Sequence, residues 1–264
     1  MMIQYLWRQR RNLLTLIVGD FTQSYLASYL GFAWAIVGPL VMLVVMSTVF
    51  QLGFRVQPVN TIGTPFVAWL TCGMIPWLYF AEGLTSGAGV VSSYAFLVRK
   101  AMFRIGLLPG IRMASIGIVH LCLMIFLMAV LAYFGITPCS FWLQWFYYVV
   151  MMYLFLLGAA WLTSAVSVFV PDIAGVLSII TNIGFWATPI FWNSDMLPER
   201  FHWIFTLNPA YYLVQGYRDT FIEHRWLWER PLSEHLAFFI WLFIVGGLGA
   251  LTFKRLRPHF ADAL

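Results

Sequence analysis

Charge and apolar surface are sorted into separate segments of this 264-residue chain, and that sorting leaves few folds open to it. Arg8, Arg10 and Arg11 open the chain, Arg99, Lys100, Arg104 and Arg112 cluster mid-way, and Lys254, Arg255 and Arg257 close it. Between the clusters run apolar stretches long enough to cross about 30 Å of hydrocarbon at about 1.5 Å per residue. Only 9% of the residues are charged, while 62% are hydrophobic. In lipid, every backbone polar group must be satisfied within its own segment, so the pattern predicts an all-α integral membrane protein.

The net charge of +5 does not point to nucleic acid, because the basic residues flank apolar stretches and form no solvated face. Cys72, Cys122 and Cys139 show neither a CxxC pair nor metal-ligand spacing with histidine, so they are read as packing residues and no metal site is expected. The N-terminus lacks the form of a signal peptide, since the apolar run from Leu13 to Val18 breaks at Gly19-Asp20.

A single membrane domain is expected over residues 1–264. Within residues 1–30, Leu6, Leu13, Ile17, Phe21 and Tyr25 recur mostly four apart between Gln4 and Tyr29, as on an amphipathic helix lying in the membrane interface. Residues 31–192 hold five predicted spans: Phe32–Phe54, Phe66–Val90, Leu108–Phe134, Phe141–Val170 and Ile173–Trp192. A sixth, Leu236–Phe253, lies within residues 235–264 ahead of a basic tail. Residues 193–234 are too polar to span and too aromatic for a plain loop. There Arg200–Leu207 reads as a short helix stopped by Asn208-Pro209, and Ala210–Ile222 as a second, together a re-entrant outer hairpin.

Six spans put both termini on one side. Counting basic residues then gives ten on that side (Arg8, Arg10, Arg11, Arg99, Lys100, Arg104, Arg112, Lys254, Arg255 and Arg257) and five on the other (Arg55, Arg200, Arg218, Arg225 and Arg230). The positive-inside rule makes the ten-residue side cytoplasmic.

No catalytic or nucleotide-binding motif is present. The only lysines are Lys100 and Lys254, and neither ends a GxxxxGK, so this chain is not expected to be an ATPase or to bind a cofactor. On the fifth span, Ser178, Asn182, Phe185, Trp186 and Pro189 recur at helical spacing and mix an amide with large rings. Phe32, Trp34 and Ile36 lie near the inner end of the first span. Rings offer stacking faces to sugars and amides offer partners to hydroxyls, each weak enough to let a chain slide. Phe32, Trp34, Asn182, Phe185, Trp186 and Pro189 are therefore the candidate channel residues. Glu82 sits about 24 Å into its span, counted at about 1.5 Å per residue, near the cytoplasmic interface; it is a candidate for the substrate side, against interfacial solvation or an ion pair. His120, near mid-membrane, is read as a neutral ring bonded to a neighbouring helix. Gly83 with Gly87, and Gly246 with Ala250, provide small residues for close helix approach.

Several runs resemble one family. Ser28-Tyr29-Leu30-Gly31-Phe32-Ala33-Trp34 with Gly38-Pro39-Leu40 is similar to the first-span motif of type-2 ABC exporter permeases, and Gly73-Met74-Ile75-Pro76-Trp77-Leu78-Tyr79-Phe80 to the second-span motif of their polysaccharide branch. Val170-Pro171-Asp172-Ile173, Ala187-Thr188-Pro189-Ile190-Phe191-Trp192, Leu207-Asn208-Pro209-Ala210-Tyr211-Tyr212 and Gly216-Tyr217-Arg218-Asp219 follow in family order. The resemblance is strongest to O-antigen permeases of the Wzm type, then to capsule (KpsM) and teichoic-acid (TagG) permeases. This chain departs from it in one place: Asp20, Thr22, Gln23 and Ser24 stand where family members carry basic residues.

The resemblance implies a permease subunit for a lipid-linked polysaccharide in a bacterial cytoplasmic membrane. Two copies would pair with two nucleotide-binding subunits that hold ATP and Mg²⁺. It also implies that the basic loop around residues 94–108, with Phe96, Arg99, Lys100, Phe103 and Arg104, is a coupling helix docking on the ATPase, with Pro171-Asp172 as a second contact. Trp192, Tyr211 and Tyr212 are expected at an outer gate. Six spans are few to enclose a glycan pore, so a two-fold homodimer is expected. The rivals are a type-2 exporter of a small lipid or drug, and a polyprenyl-linked sugar transferase. The transferase needs clustered acids for metal and diphosphate, whereas Asp20, Asp172 and Asp262 stand apart along the chain.

Overall fold

The computed structural model describes residues 10–25, 31–54, 64–98 and 104–264, and among these every regular element is a helix. The longer helices are α1 (Arg10–Tyr25), α2 (Phe32–Thr48, continued by a widened turn over Val49–Gly53), α3 (Phe66–Ala88), α4 (Leu108–Tyr133), α5 (Trp145–Ser167), α6 (Ile173–Ala187), α7 (Pro209–Arg218, widened over Asp219–Glu223) and α8 (Leu232–Leu256).

Among the described residues, four helical segments are both long and apolar enough to cross a membrane: Phe32–Gly53, Ile105–Tyr133, Ser140–Ser167 and Leu232–Ala263. The other two expected spans are helices of different character. Helix α3 is the hub, with α2, α4, α5, α6 and α7 packed around it and 16 of its 23 residues buried. A helix enclosed by protein has no need of a lipid-compatible surface, which is why α3 tolerates the buried Thr71. Towards its end Thr85 and Ser86 are half-buried, with hydroxyls donating to the Ala81 and Glu82 carbonyls, and Glu82 is exposed. Helix α6 has 15 residues, about 22 Å at about 1.5 Å per residue, short of about 30 Å of hydrocarbon.

The expected fifth span to Trp192 is thus corrected: the helix stops at Ala187. Pro189 disfavours helical backbone at the residue before it, and Thr188 is accordingly extended, at φ −88° and ψ 132°. The chain from Thr188 to Phe191 is then buried against neighbouring helices.

Helix α1 bears out its periodicity. Leu13, Ile17, Phe21 and Tyr25 are half-buried, whereas Leu14 and Val18 on the other side are exposed. The apolar face covers protein: α1 packs on α4, and Phe21 meets Phe32 at a ring-centre distance of 5.3 Å. Leu6 lies outside the described residues.

Helices α5 and α8 meet backbone to backbone. A Cβ on Gly158 would lie 2.8 Å from the Gly246 Cα, and one on Gly249 would strike the Gly158 carbonyl oxygen. The partner of Gly246 in this contact is therefore Gly249, whereas Ala250 lines a cavity.

At the basic end a second core gathers Val90, Val91, Tyr94, Ile105, Leu108, Ala165, Phe253 and Phe260. Phe260 brings the tail back onto it, 5.4 Å from the Phe253 ring.

Candidate functional site

A ladder of rings links α3, α6 and α2. Trp77 of α3 meets Phe185 at 6.0 Å, Phe185 meets Trp186 at 5.7 Å and Phe191 at 5.4 Å, and Phe191 meets Phe50 at 5.0 Å. Trp186 also contacts Phe191 at 5.0 Å, and Phe50 contacts Phe54 at 5.3 Å. These are ordinary separations for attractive ring pairs. The ladder surfaces at Trp186, which is 60% exposed, and at Phe54, which is 70% exposed.

The six candidate channel residues divide around this ladder. Phe185 and Trp186 belong to it, and Asn182 is exposed one turn away on α6, its amide nitrogen donating to the Ser178 carbonyl at 2.9 Å. Trp34 is 59% exposed on α2. Phe32 is turned instead toward α1, where its ring packs on Phe21. Pro189 is corrected out of the stripe, because α6 has ended before it and its ring is buried. Trp77, Phe191 and Phe50 escaped the sequence reading, since a stripe counted along one helix does not register rings contributed by its neighbours.

The expected outer gate also divides. Trp192 and Tyr211 flank Phe205, each at 5.6 Å, and are half-buried. Tyr212 is corrected: it is 1% exposed, stacks on Phe238 at 4.5 Å, and shares hydrogen bonds with Tyr147 at 2.9 Å and His235 at 2.8 Å. Adjacent residues on a helix point about 100° apart, so when Tyr211 faces the rim Tyr212 must face the core.

Beside these rings lies a buried charged knot. Arg218 donates to the carbonyls of Pro189 at 2.7 Å and Ile190 at 2.6 Å, and its guanidinium lies 3.5 Å from the centre of the Trp69 ring. Burial pulls Arg218 down to about 10, which still leaves it charged near neutral pH. Only glycine fits against it at position 73, where a Cβ would sit 2.6 Å from a guanidinium nitrogen. Asn208 adds a second tie: it caps α7 by accepting from the Ala210 amide and donates to the Thr188 hydroxyl at 3.0 Å. Arg230 pairs with Asp219 at 3.4 Å and with Glu234 at 2.6 Å, and donates to the Tyr212 carbonyl. Three runs that are distant in sequence, around Gly73, Thr188 and Arg218, thus meet at one point.

The basic end has its own latch. Asp20 of α1, 1% exposed, pairs with Arg112 of α4 at 3.2 Å and accepts from the Tyr94 hydroxyl at 2.6 Å. Arg112 also donates to the Ser24 hydroxyl. Asp20 therefore does not stand alone, contrary to its isolation in the sequence. Burial, then the bond to Asp20, raises the Tyr94 hydroxyl well above its ordinary range. Tyr25 is pushed up to about 12, first by burial and then by the Glu82 carboxylate. Glu82, exposed on α3, faces the latch, where Arg112 is the opposite charge acting on it.

Of the expected coupling residues, Phe96 is exposed, and Pro171 and Asp172 form an exposed turn between α5 and α6. Arg104 lines a cavity beside α1. Arg99, Lys100 and Phe103 lie outside the described residues. His120 bonds Tyr217 at 2.8 Å and stacks on Tyr79 at 4.9 Å, as expected of a ring tied to its neighbours.

Comparison with known proteins gives this arrangement its context. The family model described as "ABC-2 type transporter" matches residues 11–222. Two proteins of Klebsiella pneumoniae, each named O-antigen export system permease protein RfbA, are 27% and 28% identical over 93% of this chain and 92% of their own length. One of the same name from Myxococcus xanthus is 24% identical over 100% of this chain and 99% of its own. The matched family segment runs from α1 into the widened end of α7 and takes in the ladder and the part of the knot around Arg218, and the chain belongs to the ABC-2 type transporter family.

Proposed function

We propose that this protein is the membrane permease subunit of an ATP-driven exporter that moves a lipid-linked, O-antigen-like polysaccharide across a bacterial cytoplasmic membrane. ATP and Mg²⁺ belong to a separate nucleotide-binding subunit, which docks on the segment from Phe96 to Arg104 and on the Pro171-Asp172 turn. Two copies face each other across a two-fold axis. In each, six segments cross the membrane, α3 and α6 among them, both termini are cytoplasmic, and residues 193–234 form the re-entrant outer hairpin.

The observation that carries this reading is the ring ladder from Trp77 through Phe185 and Trp186 to Phe50. A pyranose presents C–H faces that stack on such rings, and the exposed Asn182 amide and Trp186 indole supply weak, repeated contacts. The names of the three relatives support an O-antigen-like cargo. The buried Thr188–Phe191 stretch supports re-entrance, because irregular backbone is tolerated at membrane depth only where protein encloses it.

The test is export in cells carrying the partner subunit and the glycan synthesis enzymes. Trp186→Ala should slow the appearance of surface polysaccharide several-fold, and Phe185→Asp should nearly abolish it, since a carboxylate in the ladder is costly to desolvate. Both proteins should reach normal amounts in the membrane. Wild-type export by Phe185→Asp made in normal amounts puts the ladder outside the pathway.

A further inference from the structure

We infer that the basic end of the bundle holds one anionic phospholipid in a groove separate from the ring ladder. A cavity of about 800 Å³ opens between α1, α4, α5 and α8, within the size range of specific ligand sites, roughly 300–1,000 Å³. Leu13, Ile17, Ile111, Leu157 and Phe253 give it apolar walls, and among the described residues Arg104, Lys254 and Arg257 are the charged ones that line it.

The polar groups of its walls are already engaged. The Tyr153 hydroxyl donates to the Gly110 carbonyl at 3.2 Å, and the Trp161 indole donates to the Gly106 carbonyl at 3.0 Å. The interior therefore favours hydrocarbon, while every charged side chain among the described lining residues is positive. That combination selects an amphiphile with a phosphate head and an acyl chain, the chemistry by which basic pockets between membrane helices hold anionic lipids. The depth agrees. The lining runs from Gly106 to Ala114 on one side and from Tyr153 to Trp161 on the other, each about 12 Å at about 1.5 Å per residue, close to half of a hydrocarbon core of about 30 Å.

The occupant is a resident lipid, not cargo. None of the lining residues comes from α2, α3 or α6, the helices that carry the ring ladder. Seated there, a phosphate would tie the residue that begins the approach to α4, Arg104, to the end of α8, while its chain filled the gap beneath α1.

Native mass spectrometry of the full-length protein, extracted from bilayers of equal phosphatidylglycerol and phosphatidylcholine, tests this. The wild type should retain one phosphatidylglycerol per chain in preference to phosphatidylcholine. Replacing both exposed rim residues, Lys254→Gln with Arg257→Gln, should lower that occupancy at least about tenfold. Leu157→Trp, which fills the groove and leaves the rim charged, should lower it as well; if that variant fails to fold, the charge variant decides. Millimolar inorganic phosphate should not displace the lipid, because the acyl chain holds it. Equal retention of the two lipids, unchanged occupancy in the charge variant, or release by inorganic phosphate would each overturn the proposal. Preferential exchange for a polyprenyl diphosphate would overturn it too, by making the groove a cargo site.

Discussion

The two ends of the bundle are held together by opposite strategies. At the end that carries α7, Arg218 and Arg230 are almost wholly buried, and their bonds run to backbone carbonyls as well as to carboxylates. At the basic end, one buried carboxylate, Asp20, gathers Arg112 and Tyr94, and an open cavity lies beside α1. A buried cation bonded to carbonyls has no alternative partner, so that end is fixed. An ion pair with a part-exposed arginine can open into water, so the basic end can move. The contrast sets a fixed end around Arg218 against a looser one where α1 meets α4.

The largest effect is expected at the knot. Arg218→Leu orphans the Pro189 and Ile190 carbonyls and removes two charge-assisted hydrogen bonds, a loss of about 3–5 kcal/mol. The variant should fail to accumulate in the membrane, or melt far below the wild type in detergent. Normal melting would mean that α7 is not held by this residue.

The latch should give a middling effect. Asp20→Asn and Arg112→Gln, combined in a double-mutant cycle of thermal unfolding, should show a coupling of about 1–3 kcal/mol, within the usual range for contacting residues. Both single variants should still reach the membrane, and both should lower export more than melting accounts for. Coupling near zero would remove the distinction between a movable end and a fixed one.

The smallest effect is expected from Trp34→Ala. The side chain is exposed on α2, and substitutions at such sites usually change stability by no more than about 0.5 kcal/mol. Melting should be unchanged, and export should fall less than with Trp186→Ala, whose ring is shared with Phe185 and Phe191. A large loss of stability would place Trp34 in an interface instead.

Much of this was legible in the sequence wherever the signal was local. The four-residue recurrence of Leu13, Ile17, Phe21 and Tyr25 marked the covered face of α1, and Asn208-Pro209, read as the stop of one short helix before another from Ala210, proves also to open α7, where the asparagine caps and the proline takes the first helical position. What failed was what depends on chain segments meeting in space. Asp20 and Arg112 lie 92 residues apart, and nothing near either announces the other. Pro189 fell at helical spacing from Phe185, yet proline itself ended the helix that the spacing assumed. Tyr212 shares a motif with Tyr211, and only the direction in which α7 packs separates a rim residue from a core one. Arg218 was counted among the outer charges for topology, where its sign was informative and its burial invisible.

The close approach of α5 and α8 limits which parts of the molecule can be machinery. A slide of one helical turn, about 5.4 Å, would bring Val245 or Phe253 to the place now occupied by Gly249, where even a single added carbon strikes the Gly158 carbonyl. These two helices therefore have no sliding degree of freedom between them and must travel as one beam. A transport stroke, driven from whichever end, has to use other seams, among them α2 and α6 against α3, which are lined with rings, and α1 against α4, which is latched by Asp20 and Arg112.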